Sequence, residues 1–314
     1  LANDFLRTSE SYRLMTEPTC FEAHPPLRSV SLMMQSTQQG PSVMPSSVPG
    51  PATREPAVTV ERRGRVLLIG LNRPSKRNAF TQQMLTELAT AYGRLEQDDD
   101  LWCGVLFGHG EHFTGGLDLA DVGGALLSGE GMGVPAGGRD PWRLDGPWTK
   151  PMVVAVQGWV MTLAIELLLA ADVRVAAADA RFAQYEIRRG IYPFGGATFR
   201  FPQQAGWGNA MRWVLTGDEF DAAEALRIGL VQEVVADAQG AQERAIEIAT
   251  TIATRSAPLG VRTVLKSAHL AREQGEAAAI AHLRPDITAL FATSDGAEGM
   301  RSFLERRDAE FTGH

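Results

Sequence analysis

The apolar positions of the chain become regular at Val58. Val58 to Val60 and Val66 to Leu71 read as two short strands, with Arg63-Gly64 as the turn between them. Thr81 stands where a helix cap belongs, ahead of Leu85, Leu88, Tyr92 and Leu95 at helical spacing. Gly104 to Gly108 reads as a buried strand. Eight glycines between Gly123 and Gly146 predict a mobile active-site lid or surface loop. Met152 to Val156 is another buried strand, Leu163 to Ala171 a helix apolar almost all round, and Val173 to Ala177 a strand again. Beyond Asn209 the period is helical: Met211–Leu215, Ala222–Ile228, Ala241–Arg255, Leu259–Gln274, Glu276–Thr293 and Ala297–Phe311. The order predicts an α/β fold of repeated strand–strand–helix units, followed by an all-helical C-terminal third.

The first 56 residues lack this regularity. They hold eight of the 17 prolines, and Gly40 to Pro51 carries no charge. Such a segment buries too little apolar surface to offset the entropy of ordering it. Residues 1–56 are therefore expected to be a flexible extension, residues 57–255 the core and residues 256–314 a helical C-terminal region. Methionines first occur at Met15, Met33, Met34 and Met44, and a natural start downstream of Leu1 is a further expectation. Deleting residues 1–56 is expected to change the unfolding free energy by less than about 2 kcal/mol. Denaturant titration of the shortened and full chains checks this.

Charge and cysteine usage narrow the function. With 30 basic against 37 acidic side chains the net charge is −7, which argues against a nucleic-acid partner held by general phosphate attraction. Cys20 and Cys103 cannot make a disulfide framework, and no CxxC is present, so a reducing, cytoplasmic setting is expected. The longest apolar tract, Met152 to Ala178, is broken by Glu166, Asp172 and Arg174, so it reads as core and predicts no membrane span. GxGxxG after the first strand, GxSxG, HExxH and GxxxxGK[ST] are all absent.

Three segments carry chemistry. His109 to Leu119 (HGEHFTGGLDL) follows a buried strand, and its glycines let the backbone turn and present N–H groups to a ligand. His109 and His112 lack companions for a metal, so none is expected. In Lys150 to Asp172 a strand ends at Gly158 and a helix begins near Thr162. Free N–H groups at such a helix start suit a developing oxyanion. Glu166 lies one turn into that apolar helix, where a carboxylate must be paired, protonated or functional. A structural pair with Arg174 or Arg188 is the alternative to a functional role. Glu186 lies twenty residues further on, within Arg181 to Thr198. Two carboxylates converging on one pocket are the parts that acid/base work on water or a carbon acid requires.

Together these segments resemble the crotonase superfamily, the enoyl-CoA hydratase/isomerase fold, from about Val58 to Phe311. Asn72 to Ala79 (NRPSKRNA) resembles the family loop whose backbone cups the CoA adenine. Gly116-Leu117-Asp118-Leu119 resembles its oxyanion turn. Gly217 with Ala222 to Val234 resembles its TG…A-EA…GLV-V segment, and Ser302 to Arg307 its C-terminal CoA-touching helix. The resemblance implies a crotonase-like spiral of ββα units with a helical trimerisation region. It implies an acyl-CoA substrate, no separate cofactor and no metal, and a homo-oligomer, trimer or hexamer. The thioester oxygen would sit between the N–H groups of Leu117 and Leu163. Glu166 and Glu186 match the two glutamates that hold and activate water for addition across a 2,3-enoyl-CoA. Ser75, Lys76, Arg77, Ala79, Asp118, Phe303 and Arg306 fall at the family's CoA-binding positions.

The chain departs from the family pattern in three places. Thr162-Leu163-Ala164 stands where three small residues, often glycines, are usual. Tyr185 replaces a proline before the second glutamate, and Phe194 replaces a small residue. Added bulk points to a short or unusual acyl group. It also keeps other readings open: an isomerase, dehalogenase or C–C hydrolase of the same fold, or a CoA-binding protein without turnover.

Overall fold

The computed structural model of the chain describes residues 55–128 and 133–314. The expected extension, apart from Glu55 and Pro56, and the candidate starts lie outside the described residues. Residues 53–314 fall in one compact unit.

The larger sheet has six strands. β1 (Val58–Arg63) and β2 (Val66–Leu71) form an antiparallel hairpin, and Gly64 takes φ +60° in its turn. β3 (Cys103–Gly108), β4 (Met152–Val156), β6 (Val173–Ala177) and β9 (Glu233–Val235) follow in parallel, in the order β1-β2-β3-β4-β6-β9. A second, three-stranded sheet holds β5 (Trp159–Met161), β7 (Arg181–Ala183) and β8 (Phe220–Asp221), in the order β5-β7-β8. Single bridges at Thr114↔Val160 and Phe80↔Leu117 continue this layer along the loops after β3 and β2. Long strands β4 and β6 are thus each followed by a short strand of the second sheet. This is the repeated unit of the expected spiral.

Helices close the turns of that spiral. α1 (Gln82–Gln97) starts at Thr81, whose side chain accepts from the N–H of Met84 as a cap. α2 (Leu119–Ser128) follows β3, and α3 (Leu163–Ala170) follows β5 with all eight residues buried. α4 (Ala197–Ala205), α5 (Trp207–Thr216) and α6 (Ala222–Arg227) lead to β9. α7 (Ala238–Arg255), α8 (Pro258–Gln274), α9 (Glu276–Phe291) and α10 (Ser294–Glu305) complete the chain.

Both faces of the large sheet are covered, which is why its central strands read as unbroken apolar runs. On one face Leu67, Ile69, Leu71, Leu106 and Val154 pack with α1 and α3. On the other, Leu68, Val105, Phe107, Val153 and Val175 meet Ala241, Ala245, Ala249 and Ala253 of α7. Four-residue spacing puts those alanines on one helix face, and their small side chains let the helix lie close to the sheet. Among the described residues, no helix is long and apolar enough to cross a membrane.

Two expectations are corrected. The glycine-rich lid begins as helix α2, which contains Gly123 and Gly124; residues 129–132 of that stretch are outside the described residues. Glycine costs a helix about 1 kcal/mol, and here Val122 is buried as its anchor while Gln82 bonds Asp121 through both its N–H and its amide. The C-terminal third is not all helical, since β8 and β9 interrupt it.

Candidate active site

Glu166 and Glu186 come together. A chamber of about 190 Å³ is lined by both glutamates together with Gly116, Leu117, Thr162, Leu163, Tyr185 and Phe194. A larger chamber of about 390 Å³ adjoins it, sharing Leu117, Leu163, Glu166 and Phe194. Its walls are largely apolar: Leu85 and Ala89 of α1, Val134, Trp142 and Leu144. The three bulky departures, Leu163, Tyr185 and Phe194, all line the smaller chamber.

Backbone geometry frees an N–H at Leu117. Phe80 donates to Gly116 O (2.8 Å) and accepts from Asp118 N–H (2.9 Å). In such a parallel bridge the intervening residue turns its own N–H to the opposite side. Leu163 is the first residue of α3, where helix N–H groups have no intrahelical partner. Among the described residues, neither N–H donates to another protein group. Leu163's side chain is buried, and its carbonyl accepts from Trp142 Nε1 at 3.1 Å.

The residue before Leu163 is strained. Thr162 takes φ +56° and ψ −118°, a region suited to glycine, and a β-branched residue there is an outlier costing about 1–3 kcal/mol. Its N–H donates to Ala183 O (2.8 Å), fastening the turn to β7. Gly116 faces it with φ +102°, and a side chain there would begin 2.7 Å from Thr162 Oγ1.

Neither arginine pairs with Glu166. Arg174 is spent on Gln232 and the carbonyl of Leu168, and Arg188 on Asp218. Glu166 Oε1 instead accepts from the N–H groups of Gly195 (2.7 Å) and Ala197 (3.1 Å), where α4 begins. Burial raises the Glu166 carboxyl above the usual range; these N–H groups and the nearby Arg200 charge oppose that rise. The start of α4 thus favours the carboxylate form through its own dipole. Gly195 is needed for this approach, since a side chain there would begin 2.7 Å from Glu166 Oε2. Arg200 anchors the chamber wall, donating to Trp142 O (2.5 Å) and Arg143 O (3.0 Å).

Glu186 sits in a short 3₁₀ turn, Tyr185–Arg189. Burial pushes its carboxyl up to about 7, and the Glu166 charge adds to this. Gln184, fully buried, donates to Glu186 Oε2 (2.9 Å) and to Thr162 O (3.2 Å) when its amide nitrogen is turned toward them. That orientation is an assignment from the hydrogen-bond network. The two carboxyls therefore differ: one held by a helix start, the other free to carry a proton near neutral pH.

The remaining site residues are placed less uniformly. Ser75 and Lys76 lie exposed in a 3₁₀ turn, followed by Arg77 and Asn78 in left-handed conformation. Buried Asn78 holds this loop by donating to His109 O and His112 O, and Ala79 N–H donates to Lys76 O. The Arg77 guanidinium stacks on Trp159 at 4.3 Å. Asp118 is paired with Arg73 at 2.8 Å. Phe303 and Arg306 are exposed at the end of α10 and line neither chamber. His109 and His112 contact Thr59 and the Trp159 N–H; among the described residues no group of metal-binding side chains exists. Sequence reasoning missed the Gly195 and Ala197 donors, Gln184 and the conformation of Thr162. The Gly195-Gly196 pair was their sole sequence signal.

Known proteins show the same arrangement of chain. Residues 61–314 match the family model for enoyl-CoA hydratase/isomerase. Enoyl-CoA hydratase EchA19 of Mycobacterium tuberculosis is 34% identical over 82% of this chain and 96% of its own. A short-chain-enoyl-CoA hydratase of Clostridium acetobutylicum is 31% identical, over 81% of this chain and 96% of its own. The crystal structure of a probable enoyl-CoA hydratase/isomerase from Mycobacterium abscessus superposes with a TM-score of 0.80 at 53% identity, covering 82% of this chain and 99% of that one. With the spiral of ββα units and the paired glutamates already in place, these matches mean that the chain belongs to the enoyl-CoA hydratase/isomerase family of the crotonase superfamily.

Proposed function

We propose that this enzyme adds water across the 2,3-double bond of an enoyl-CoA. The observation that carries this reading is one chamber holding two unlike carboxyls and two free N–H groups. Glu166, whose carboxylate form the α4 N–H groups stabilise against the effect of burial, takes a proton from water as the water oxygen bonds to C3. The π electrons move onto the thioester oxygen, where the N–H groups of Leu117 and Leu163 stabilise the enolate. Protonated Glu186 then delivers its proton to C2. The exchange leaves Glu166 protonated and Glu186 ionised, and one proton passing between them resets the site. The reaction balances with water and thioester alone. An isomerase manages with one such carboxyl, and the second favours hydration.

The exposed Ser75, Lys76 and Arg77, with Ala79 and Asp118, support a CoA cradle on the Asn78-braced loop, and Phe303 and Arg306 are assigned to CoA by family resemblance. Assembly as trimers, or trimers paired into hexamers, is read from the same resemblance. Ile280, Leu283, Ile287 and Phe291 support it, as exposed apolar side chains on one face of α9. Cysteine usage fits a cytoplasmic, reducing setting, with Cys103 buried and free. Loss of the ultraviolet absorbance of the conjugated thioester, with product analysis to exclude double-bond migration, tests the reaction. A purified protein that binds enoyl-CoA without consuming it would reject the reading.

Leu163 has a separate, measurable role. Its side chain lines both chambers while its backbone supplies the donor. Leu163→Gly is expected to widen the acceptance of longer or bulkier acyl groups with kcat little changed. Glycine costs about 0.5–1 kcal/mol at this helix start, so activity is compared on folded protein. A rise in kcat above about tenfold with an unchanged acyl profile would mean that the leucine turns the donor away, since an aimed oxyanion donor is worth about 10²–10³.

A further inference from the structure

One polar group in the catalytic chamber takes no part in the steps above, the hydroxyl of Thr162. Thr162 lines the chamber beside both glutamates and both donor residues. Its Oγ1 lies 2.7 Å from where a Gly116 side chain would begin, so it rests against the residue whose peptide bond carries the Leu117 N–H. Thr162's own carbonyl belongs to the peptide bond that carries the Leu163 N–H. The hydroxyl thus lies against Gly116, on the residue that directly precedes Leu163. It does not cap α3, and among the described residues it makes no hydrogen bond. Threonine holds this position at φ +56°, where glycine would sit without strain. An oxyanion partner would give this unbonded hydroxyl a role in the chamber.

We propose that the Thr162 hydroxyl is a third hydrogen-bond donor to the thioester oxygen, beside the N–H groups of Leu117 and Leu163; the identity of that ligand rests on the hydratase reading. The two N–H groups already serve the in-plane lone pairs of a neutral carbonyl oxygen, so a third hydrogen bond to it is weak. The enolate oxygen has a third lone pair and a full charge, so a third donor gains most as the enolate forms. Such an interaction raises kcat more than it lowers KM.

The test uses the full chain with Thr162→Val, Thr162→Ser and Thr162→Gly, read by kcat, KM and the absorbance of a bound 2,4-dienoyl-CoA. Hydrogen bonds to the carbonyl of this chromophore shift its absorbance to the red. Thr162→Ser is expected to keep the rate and the red shift. Thr162→Val, of the same shape without the hydroxyl, is expected to lose about 10²-fold in kcat with KM nearly unchanged, and part of the red shift. Wild-type kcat and an unmoved absorbance in Thr162→Val would overturn the proposal. Should the valine variant fail to fold, Thr162→Gly decides, because glycine suits the backbone: loss of rate and shift supports the proposal, and retention of both overturns it. A wild-type protein that shifts the dienoyl-CoA but hydrates no enoyl-CoA defeats the hydratase reading alone. The hydroxyl is then judged by whether Thr162→Val loses the shift. A wild-type protein that gives no shift defeats both.

Discussion

Glu166→Gln and Glu186→Gln are each expected to lower kcat by roughly 10²–10⁴, the usual scale of general acid/base catalysis. Each glutamine keeps the shape of the carboxyl and removes its proton chemistry. In the proposed mechanism the two residues serve consecutive proton transfers around one chamber, so the double variant should be far less than multiplicatively worse than either single one. The pH profile separates their roles. Glu186 is raised to about 7 by burial, so kcat/KM should fall above that pH as its proton is lost. Glu186→Gln should lack that limb. Stability follows the same group. Its native carboxyl holds a proton more tightly than an unfolded glutamate, near pH 4.3, so the stability it contributes is fully present below that pH. It is lost as pH rises through the native value of about 7. At pH 8 Glu186→Gln should therefore be more stable than wild type, by up to about 3 kcal/mol. Denaturant titrations at pH 5 and pH 8 measure the difference. Near-wild-type turnover in either single variant would remove the two-carboxyl mechanism.

Gly116→Ala is expected to cost about 10²–10³ in kcat, the effect of losing one oxyanion donor. Gly116 holds φ +102°, and the new methyl would begin 2.7 Å from Thr162 Oγ1. Turning the Thr162 side chain aside would not relieve this, because alanine is strained at φ +102° whatever the space around it. The turn must move, and the Leu117 N–H moves with it. Gly115→Ala is the matched control. A methyl there would meet Arg77 at an ordinary 3.7 Å, and the rate should hold. Equal rates in the two variants would mean that Leu117 is no donor.

Much of this site is visible in the sequence because its parts are costly. A glutamate inside an apolar helix demands an explanation wherever it occurs, and Glu166 was identifiable for that reason. Its partners were not. They are main-chain N–H groups of Gly195 and Ala197, 29 and 31 residues away, and every residue but proline carries such a group. Arg174 and Arg188 are the partners that side-chain chemistry suggests, and both are taken by Gln232 and Asp218. The same contrast runs through the fold. β2, β3 and β4 are apolar runs of five or six residues, long enough to declare themselves. β5, β7 and β8 have two or three residues, too few to show a period, yet they aim the loops that form the chamber. α4 is hidden by Gly195-Gly196 before it and Pro202 within it. Thr162 stands out in the sequence as a departure from small residues, but nothing in a threonine announces a left-handed backbone.

The wall of the larger chamber has a second attachment besides Arg200. Arg143 donates to Ala170 O on α3 and to His269 Nδ1 on α8, the latter at 2.8 Å. Burial and the surrounding arginines push His269 down to about 4, so at neutral pH the imidazole is uncharged and accepts this bond. The consequence concerns modularity. A chain cut after α7 would keep Glu166, Glu186, Leu117 and Leu163, yet Arg143 would lose its acceptor on α8, and the wall of the larger chamber would be held from the core alone. The shape of the larger chamber is in this sense set by α8 as well as by the core. Exchanging the terminal helices for those of a relative would then reshape that chamber, even with Glu166 and Glu186 left in place.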